Sequence, residues 1–125
     1  MTYLLDVYIL LAVIWDNHSL HQRAFDGIKG KTIAVCPLTE LGFIRISTNP
    51  KATINAPMDK TRELWQRFIQ ERNARRIPDD LPALESRPAK SDEVTDCYLA
   101  ELAARHHMKF ATMDGRLKHP AVTLI

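Results

Sequence analysis

The chain has 125 residues, of which 46% are hydrophobic and 26% are charged. That hydrophobic content excludes a disordered chain, and a chain of this length can bury one core without disulfides. The formal net charge is only +2, from 17 basic and 15 acidic residues. This balance does not by itself indicate a nucleic-acid binder, but it allows one if acids cluster in a site that bases surround. We therefore expect one domain over residues 1–125.

The apolar N-terminal segment and the two cysteines indicate the cellular compartment of the protein. Residues 3–15 are apolar but short, they contain Asp6, and no basic segment precedes them. The sequence therefore predicts neither a signal peptide nor a membrane span. Cys36 and Cys97 lie in apolar segments without CxxC or Cys/His ligand spacing, so we expect reduced core residues of a cytoplasmic protein and no structural zinc site.

The hydrophobic pattern predicts strands that alternate with helices. In chain order, the predicted elements are a strand over 2–7, helices over about 9–15 and 17–29, a strand over 32–36, a helix from Pro37 to about 48, a helix over 57–73, a strand over 74–78, a proline-rich loop over 78–91, a helix over about 92–106 with Ser91 as its N-cap, and strands over 109–112 and 121–125. Such alternation is typical of an α/β fold with a parallel sheet covered on both sides.

Four acidic residues lie where predicted strands end or the following helices begin. They are Asp6, Glu40, Asp96 and Asp114. Ligands of open α/β sheets bind beyond the carboxyl ends of the strands, so these acids are expected to converge at one edge. Taken singly, Glu40 could simply favour the positive end of its helix, and Asp114 before Gly115 could simply form a turn. Asp6 is the more informative position because its neighbours are apolar.

Carboxylates held a few ångströms apart repel one another, so some stay protonated unless a cation neutralises them. A divalent hard cation such as Mg²⁺ or Mn²⁺ prefers oxygen ligands and suits such a site. A cation bound beside a phosphodiester can polarise it and activate a water molecule. The sequence has no serine–histidine or cysteine–histidine pattern that points to a different nucleophile.

Four segments then resemble a known family. LLDVYILLAVIW, PLTELGFIRISTNP, VTDCYLAELA and FATMD are similar, in order and spacing, to the PIN-domain ribonucleases, and within them to the VapC-like toxins of bacterial toxin–antitoxin pairs. The resemblance covers almost the whole chain. It implies a three-layer α/β/α sandwich around a parallel sheet of about four to five strands. It also implies a metal-dependent endoribonuclease that uses Mg²⁺ or Mn²⁺, forms a homodimer and is blocked by a cognate antitoxin.

Carried over to this sequence, the resemblance assigns the catalytic and metal-binding roles to Asp6, Glu40, Asp96 and Asp114. Thr112 matches a small polar position just before the last acid. Asp92 lies one helical turn before Asp96 and is a candidate accessory ligand, although an acid at that place also suits a helix start.

Basic residues are scattered along the sequence, which is typical of a solvated surface. Arg87, Lys90 and Arg116 precede or follow segments that carry the acids, so they are the candidates for contacts with RNA phosphates. If several such contacts form, affinity for RNA falls steeply with salt concentration.

Tyr8 departs from the family pattern, because that position usually carries Asn, Ser or Thr. A short polar side chain there can orient the first carboxylate, whereas tyrosine either crowds the site or turns away from it. The alternative function is therefore a catalytically weakened PIN-like module that binds RNA or an antitoxin without efficient cleavage. A third reading, a receiver-like or phosphatase-like phosphotransfer domain, lacks a second acid two residues after Asp6.

Overall fold

The structure is a computed structural model that describes residues 1–125. The strands are β1 (Thr2–Leu5), β2 (Thr32–Val35), β3 (Arg75–Arg76), β4 (Lys109–Thr112) and β5 (Val122–Leu124). The helices are α1 (Val7–Ile14), α2 (His21–Ile28), α3 (Pro37–Thr48), α4 (Met58–Glu71) and α5 (Val94–Arg105), with 3₁₀ turns at Ala83–Glu85 and Ser91–Glu93. The strands form one sheet in the order β3-β2-β1-β4-β5, and every neighbouring pair is parallel.

The sheet separates two hydrophobic cores because successive side chains of a strand point to opposite faces. On β1, Leu5 packs with buried side chains of α1, α2, α3 and α4, whereas Leu4 packs with those of α5. On β4, Ala111 belongs to the same core as Leu5, and Phe110 belongs to the same core as Leu4. Helices therefore cover both faces, and the predicted three-layer α/β/α sandwich with a parallel sheet of five strands is confirmed.

Three aromatic rings join the helices of the larger core. Trp15, at the end of α1, stacks on Phe43 of α3 with the ring centroids 6.3 Å apart. Phe43 in turn meets Trp65 of α4 at 5.1 Å. The indole Nε1 of Trp15 also donates a hydrogen bond of 2.9 Å to the Ser47 hydroxyl on α3. These contacts hold α3 and α4 against α1, so they fix where the first turn of α3 lies at the sheet edge.

Several predicted helix boundaries are confirmed, and one predicted helix N-cap is wrong. Helix α3 begins at Pro37 and ends at Thr48, as predicted. Gly30 follows α2 with a φ of 74°, a conformation that glycine adopts at little cost. Ser91 is not the N-cap of α5, because the helix begins at Val94 with Glu93 as its N-cap. The chain already turns before this point, since the Glu93 N–H donates to the Lys90 carbonyl.

Cys36 and Cys97 are both free and buried, as predicted. No helix of the structure combines the length and the apolar character needed to cross a membrane.

Helices α1 and α3 approach each other closely at Gly42. A Cβ atom built on Gly42 would lie 2.9 Å from Cγ2 of Val7, and valine has few rotamers with which to move away. We expect Gly42→Ala to lower the free energy of unfolding by about 1–2 kcal/mol, because the clash outweighs the helix-forming advantage of alanine. Urea denaturation measures the change. Gly115→Ala is the matched control, since its new methyl group would be 3.8 Å from the nearest atom. A Gly42→Ala variant as stable as the wild type would contradict this close packing.

Candidate active site

Asp6 lies where strand β1 passes into helix α1. Its backbone N–H donates to the Ala111 carbonyl on β4 at 3.0 Å, which extends the sheet by one residue. Its carbonyl accepts the N–H of Leu10 at 3.1 Å, which is the first hydrogen bond of the helix. The predicted helix start at residue 9 is therefore two residues late. The side chain is only 3% exposed, so the sheet and the helix together fix a buried carboxyl group at this edge.

The electrostatics of Asp6 are unfavourable to its charged form. Burial, and next the charge of Asp96, raise the pKa of Asp6 to about 6. The Thr112 hydroxyl and the backbone N–H groups of Val7 and Tyr8 partly offset this rise. The Asp6 side chain nevertheless forms no capping hydrogen bond of regular geometry with its own helix. The Thr112 hydroxyl is therefore the main polar partner of this carboxylate.

Thr112, the last residue of β4, connects two of the predicted acids. Its buried hydroxyl donates to Oδ2 of Asp6 at 2.9 Å and accepts the backbone N–H of Asp114 at 3.0 Å. One hydroxyl thus sets both the orientation of the Asp6 carboxylate and the path of the chain as it leaves the sheet. Thr112, which sequence analysis predicted as the small polar residue before Asp114, therefore contacts Asp6.

Asp96 completes a series of interacting carboxylates. It lies half-buried in the first turn of α5. Burial, followed by the charge of Asp114, raises the pKa of Asp96, and Arg116 opposes this rise. Since Asp96 also raises the pKa of Asp6, the three acids interact electrostatically in the order Asp6, Asp96, Asp114. The structure therefore brings three of the four predicted acids to one place.

Arg116 supplies the positive charge of this cluster. Its Nη2 lies 2.6 Å from Oδ2 of Asp114, and its Nε lies 3.0 Å from Oδ1. Its Nη1 also lies 3.5 Å from Oδ2 of Asp92. These hydrogen bonds hold the pKa of Asp114 below its usual value. Sequence analysis considered Arg116 only as an RNA contact; the short turn Asp-Gly-Arg was the signal that Arg116 could instead pair with Asp114.

Asp96, Asp114 and Arg116 line a cleft of about 220 Å³ beside α5, and the buried Asp6 lies outside this lining. Asp92 and Lys90 line the same cleft, so the predicted accessory acid and one predicted phosphate contact lie beside the interacting acids. Arg87 lines a different pocket, together with Glu101 and His119. Of the three basic residues predicted to contact RNA, Lys90 and Arg116 therefore share the cleft with the acids and Arg87 does not.

Glu40 stands apart from the other three acids. It lies in the first turn of α3, and its Oε2 is 3.3 Å from Nη1 of Arg76 on β3. Both residues line a cavity of about 370 Å³ beyond the end of β2. Sequence analysis did not predict a role for Arg76, because its pairing with Glu40 depends on β3 lying next to β2. Glu40 is thus at the predicted sheet edge but has a basic partner of its own.

The oxygen-rich cluster suits a hard divalent cation by its donor chemistry. Two carboxyl groups with raised pKa values, Asp6 and Asp96, are those that a cation would stabilise in the charged form. No three His, Cys, Asp or Glu side chains lie close enough together to form a ready set of ligands. Mg²⁺ needs no such set, because it commonly binds one or two carboxylates and keeps several waters.

Tyr8 turns away from the acids. Sequence analysis left open whether the tyrosine would crowd Asp6 or leave it free. The residue is 61% exposed, so its ring projects into solvent from the first turn of α1. The aromatic side chain does not fill the space at the buried carboxylate.

The raised pKa of Asp6 predicts how stability depends on pH. An unfolded aspartate titrates near 4, whereas the folded chain holds Asp6 protonated up to about pH 6. The folded state therefore binds more protons between these values, and stability falls as the pH rises from about 4 to about 6. Asp6→Asn removes the charged form. We expect it to increase the free energy of unfolding at pH 7.5 by about 1–3 kcal/mol and to flatten the slope between pH 4 and 6.

Urea denaturation across this pH range measures the effect of Asp6→Asn. Asp16→Asn, at an exposed acid in the turn after α1, is the matched control and should leave the slope unchanged. Loss of stability in Asp6→Asn at pH 7.5 would show that the carboxylate is not destabilising.

The hydrogen bonds of Thr112 predict a second effect. Thr112→Val removes both the donor to Asp6 and the acceptor for the Asp114 N–H. We expect the pKa of Asp6 to rise further, and the free energy of unfolding to fall by about 1–3 kcal/mol. Carboxyl NMR titration and urea denaturation measure the two quantities. Thr112→Ser keeps the hydroxyl and should resemble the wild type. An unchanged Asp6 titration in Thr112→Val would mean that the hydroxyl does not stabilise the carboxylate.

Comparisons with known proteins identify similar sequences and a similar fold. No protein-family model matches the chain. The chain is 35% identical over 124 residues to ribonuclease VapC38 of Mycobacterium tuberculosis. This alignment covers 90% of the chain and 84% of VapC38. It is 33% identical over 132 residues to ribonuclease VapC39 of the same organism, with 97% and 94% covered.

A solved structure matches the whole chain. It is the crystal structure of VapBC2 from Rickettsia felis bound to a DNA fragment from their promoter. The TM-score is 0.65 at 14% sequence identity, with 100% of this chain and 98% of that chain covered, so this likeness supports the fold. Because its sequence matches the VapC ribonucleases over nearly its full length, the chain belongs to the VapC family of PIN-domain ribonucleases.

Proposed function

We propose that residues 1–125 act as one nuclease domain, the toxin of a toxin–antitoxin pair, and hydrolyse RNA phosphodiester bonds at the cleft between β4 and α5. The proposal rests above all on one observation. Asp6, Asp96 and Asp114 come from three separate elements, yet their charges interact, and a single Thr112 hydroxyl contacts two of them. The VapC relatives are named ribonucleases, which supports the same activity for this chain.

The interacting acids are the proposed site of a divalent cation, Mg²⁺ or Mn²⁺. One or two of the carboxylates of Asp6, Asp96 and Asp114 would hold it, and Asp92 and Glu40 would be further acids at the same sheet edge. When bound, such a cation polarises a phosphodiester and activates a water molecule. The raised pKa of Asp6 and of Asp96 supports this assignment, because a nearby positive charge would lower both pKa values and stabilise the ionised carboxylates.

The residues around the acids have distinct roles in this proposal. Thr112 holds the Asp6 carboxylate in one orientation through its hydrogen bond of 2.9 Å. Lys90 and Arg116 line the cleft with Asp96 and Asp114, which supports a role in which they contact the phosphates that flank the cleaved bond. Arg87 lies outside the cleft, so it would contact only a more distant part of the RNA.

We also propose two protein partners, a cognate antitoxin and a second copy of the chain in a homodimer. The matching structure from Rickettsia felis is described as VapBC2 bound to DNA, which supports an antitoxin partner for this chain as well. The homodimer follows from the family resemblance.

A weakened module that binds RNA or antitoxin without efficient cleavage is the second candidate. One observation favours it. Arg116 already neutralises Asp114 through three hydrogen bonds between its Nε and Nη2 atoms and the carboxylate, so a cation must compete with a guanidinium for this acid. The two candidates differ in whether cation binding and RNA cleavage occur together.

Cleavage of total RNA by the purified chain with added Mn²⁺ tests the proposed activity. We expect discrete cleavage that is lost on chelation. Asp6→Asn and Asp96→Asn should each reduce the rate by roughly a hundredfold or more, because each removes charge stabilisation worth several kcal/mol. Asp16→Asn, at an exposed acid remote from the cleft, should cleave like the wild type.

Calorimetric titration with Mn²⁺ separates the two candidates. The nuclease should bind the ion, and Asp96→Asn should bind it more weakly. Folded wild-type protein that binds no Mn²⁺ and cleaves no RNA would leave the weakened module as the function of the chain. Cleavage that survives in both acid variants would show that the active site lies elsewhere.

A further inference from the structure

A further cavity lies between helices α3 and α4, and it shares no lining residue with the cleft beside α5. Its volume is about 240 Å³. Residues three or four positions apart on a helix share a face, and the lining residues of each helix have this spacing. We name this space the α3–α4 cavity; it is lined by Glu40, Ile44, Met58, Arg62, Trp65 and Gln66.

Trp65 brings a hydrogen-bond donor without a partner to this cavity. The residue is only 1% exposed, and its Nε1–H is one of two buried side-chain polar groups in the structure that form no hydrogen bond. The other tryptophan, Trp15, donates its Nε1–H to the Ser47 hydroxyl at 2.9 Å. Buried donors are nearly always hydrogen-bonded, so the Trp65 N–H points to an acceptor that the chain itself does not provide.

Arg62 adds a positive charge that no acid of the chain neutralises. Its guanidinium group takes part in none of the ion pairs of the structure. Glu40 is the one acid that lines the cavity, and its Oε2 lies 3.3 Å from Nη1 of Arg76, which lies outside the lining. Since Arg76 already offsets the charge of Glu40, the five N–H donors of Arg62 are available to an anion.

The cleft beside α5 has the opposite balance of charge. Lys90 and Arg116 line it together with four acids. Lys90 forms no ion pair there, whereas Arg116 pairs with Asp114 and Asp92. Even with Lys90 unpaired, the acids outnumber the bases, so an anion meets more repulsion in this cleft than in the α3–α4 cavity.

We propose that the α3–α4 cavity binds a phosphate group, with the Arg62 guanidinium, the Gln66 amide and the Trp65 Nε1–H as its donors. A phosphate accepts hydrogen bonds at several oxygens, and the planar fork of arginine matches it. The phosphate comes either from the backbone of bound RNA or from solution as the free ion. The first source rests on the proposed ribonuclease function and makes the cavity a subsite for a phosphate away from the cleaved bond.

The two tryptophans make phosphate binding observable by NMR. The ¹⁵N-labelled full chain should give two indole N–H signals, which Trp15→Phe assigns. Titration with inorganic phosphate should shift the Trp65 signal and leave the Trp15 signal in place. Arg62→Gln should weaken phosphate binding about tenfold or more, because it removes the charged donor. Arg67→Gln is the matched control, since Arg67 is exposed on the same helix and pairs with Glu63.

A short RNA added to the Asp96→Asn chain, which should not cleave it, distinguishes the two sources of phosphate. If the RNA backbone is the source, RNA shifts the Trp65 signal. Arg62→Gln then lowers the affinity and reduces the slope of log affinity against log salt by about one. If free phosphate is the source, inorganic phosphate shifts the Trp65 signal and RNA does not. Either result supports a phosphate site in the cavity.

Other outcomes overturn the phosphate site without deciding the proposed function. A Trp65 signal that moves with neither ligand excludes the site, as does phosphate binding that Arg62→Gln leaves unchanged. If such a chain still cleaves RNA with Mn²⁺, the ribonuclease stands and only the phosphate site fails. If the wild type binds phosphate at Trp65 but neither binds nor cleaves RNA, the phosphate site stands and the proposed function fails.

Discussion

The buried carboxyl group of Asp6 is the constraint on which the rest of the site depends. Its backbone ends the central strand and begins the first helix, so the residue cannot move without disturbing both elements. Its side chain is withdrawn from water beside the charge of Asp96, which disfavours ionisation. Only the Thr112 hydroxyl contacts the carboxylate with a regular hydrogen bond from a side chain. The fold thus maintains an acid in surroundings that oppose its charge, which is typical of functional sites.

The order of the strands explains why the acids meet. Strands β1 and β4 are neighbours at the centre of the sheet, so residues that follow them, Asp6 and Asp114, leave the sheet side by side. Helix α5 covers the face of the sheet opposite α1, and its first turn brings Asp96 to the same edge. Glu40 follows β2, one strand farther away, where Arg76 of the edge strand is its nearest charged partner. The neighbouring strands β1 and β4 and the position of α5 together therefore group three acids, while the fourth, Glu40, pairs with Arg76.

Much of the fold was predictable from the sequence, because parallel strands covered on both faces have continuous apolar segments. The five strands and the start of α3 at Pro37 follow from such local patterns. The start of α5 was not predictable, because Ser91 has the chemistry of an N-cap but lies in a 3₁₀ turn that comes first. The positions of Asp6, Asp96 and Asp114 followed from topology. The pairing of Arg76 with Glu40 did not, because it depends on β3 lying next to β2. The pairing of Arg116 with Asp114 had only one local signal, the short Asp-Gly-Arg turn.

Arg116 has a consequence for how ligands affect one another at this cleft. Its guanidinium group, paired with Asp114 and Asp92, cannot form the same hydrogen bonds with a phosphate at the same time. A cation that neutralises Asp114 releases the arginine, and a phosphate that draws the arginine away exposes the charge of Asp114. Binding of a cation and binding of an anion are therefore thermodynamically linked with positive cooperativity, and each must strengthen the other by the same factor.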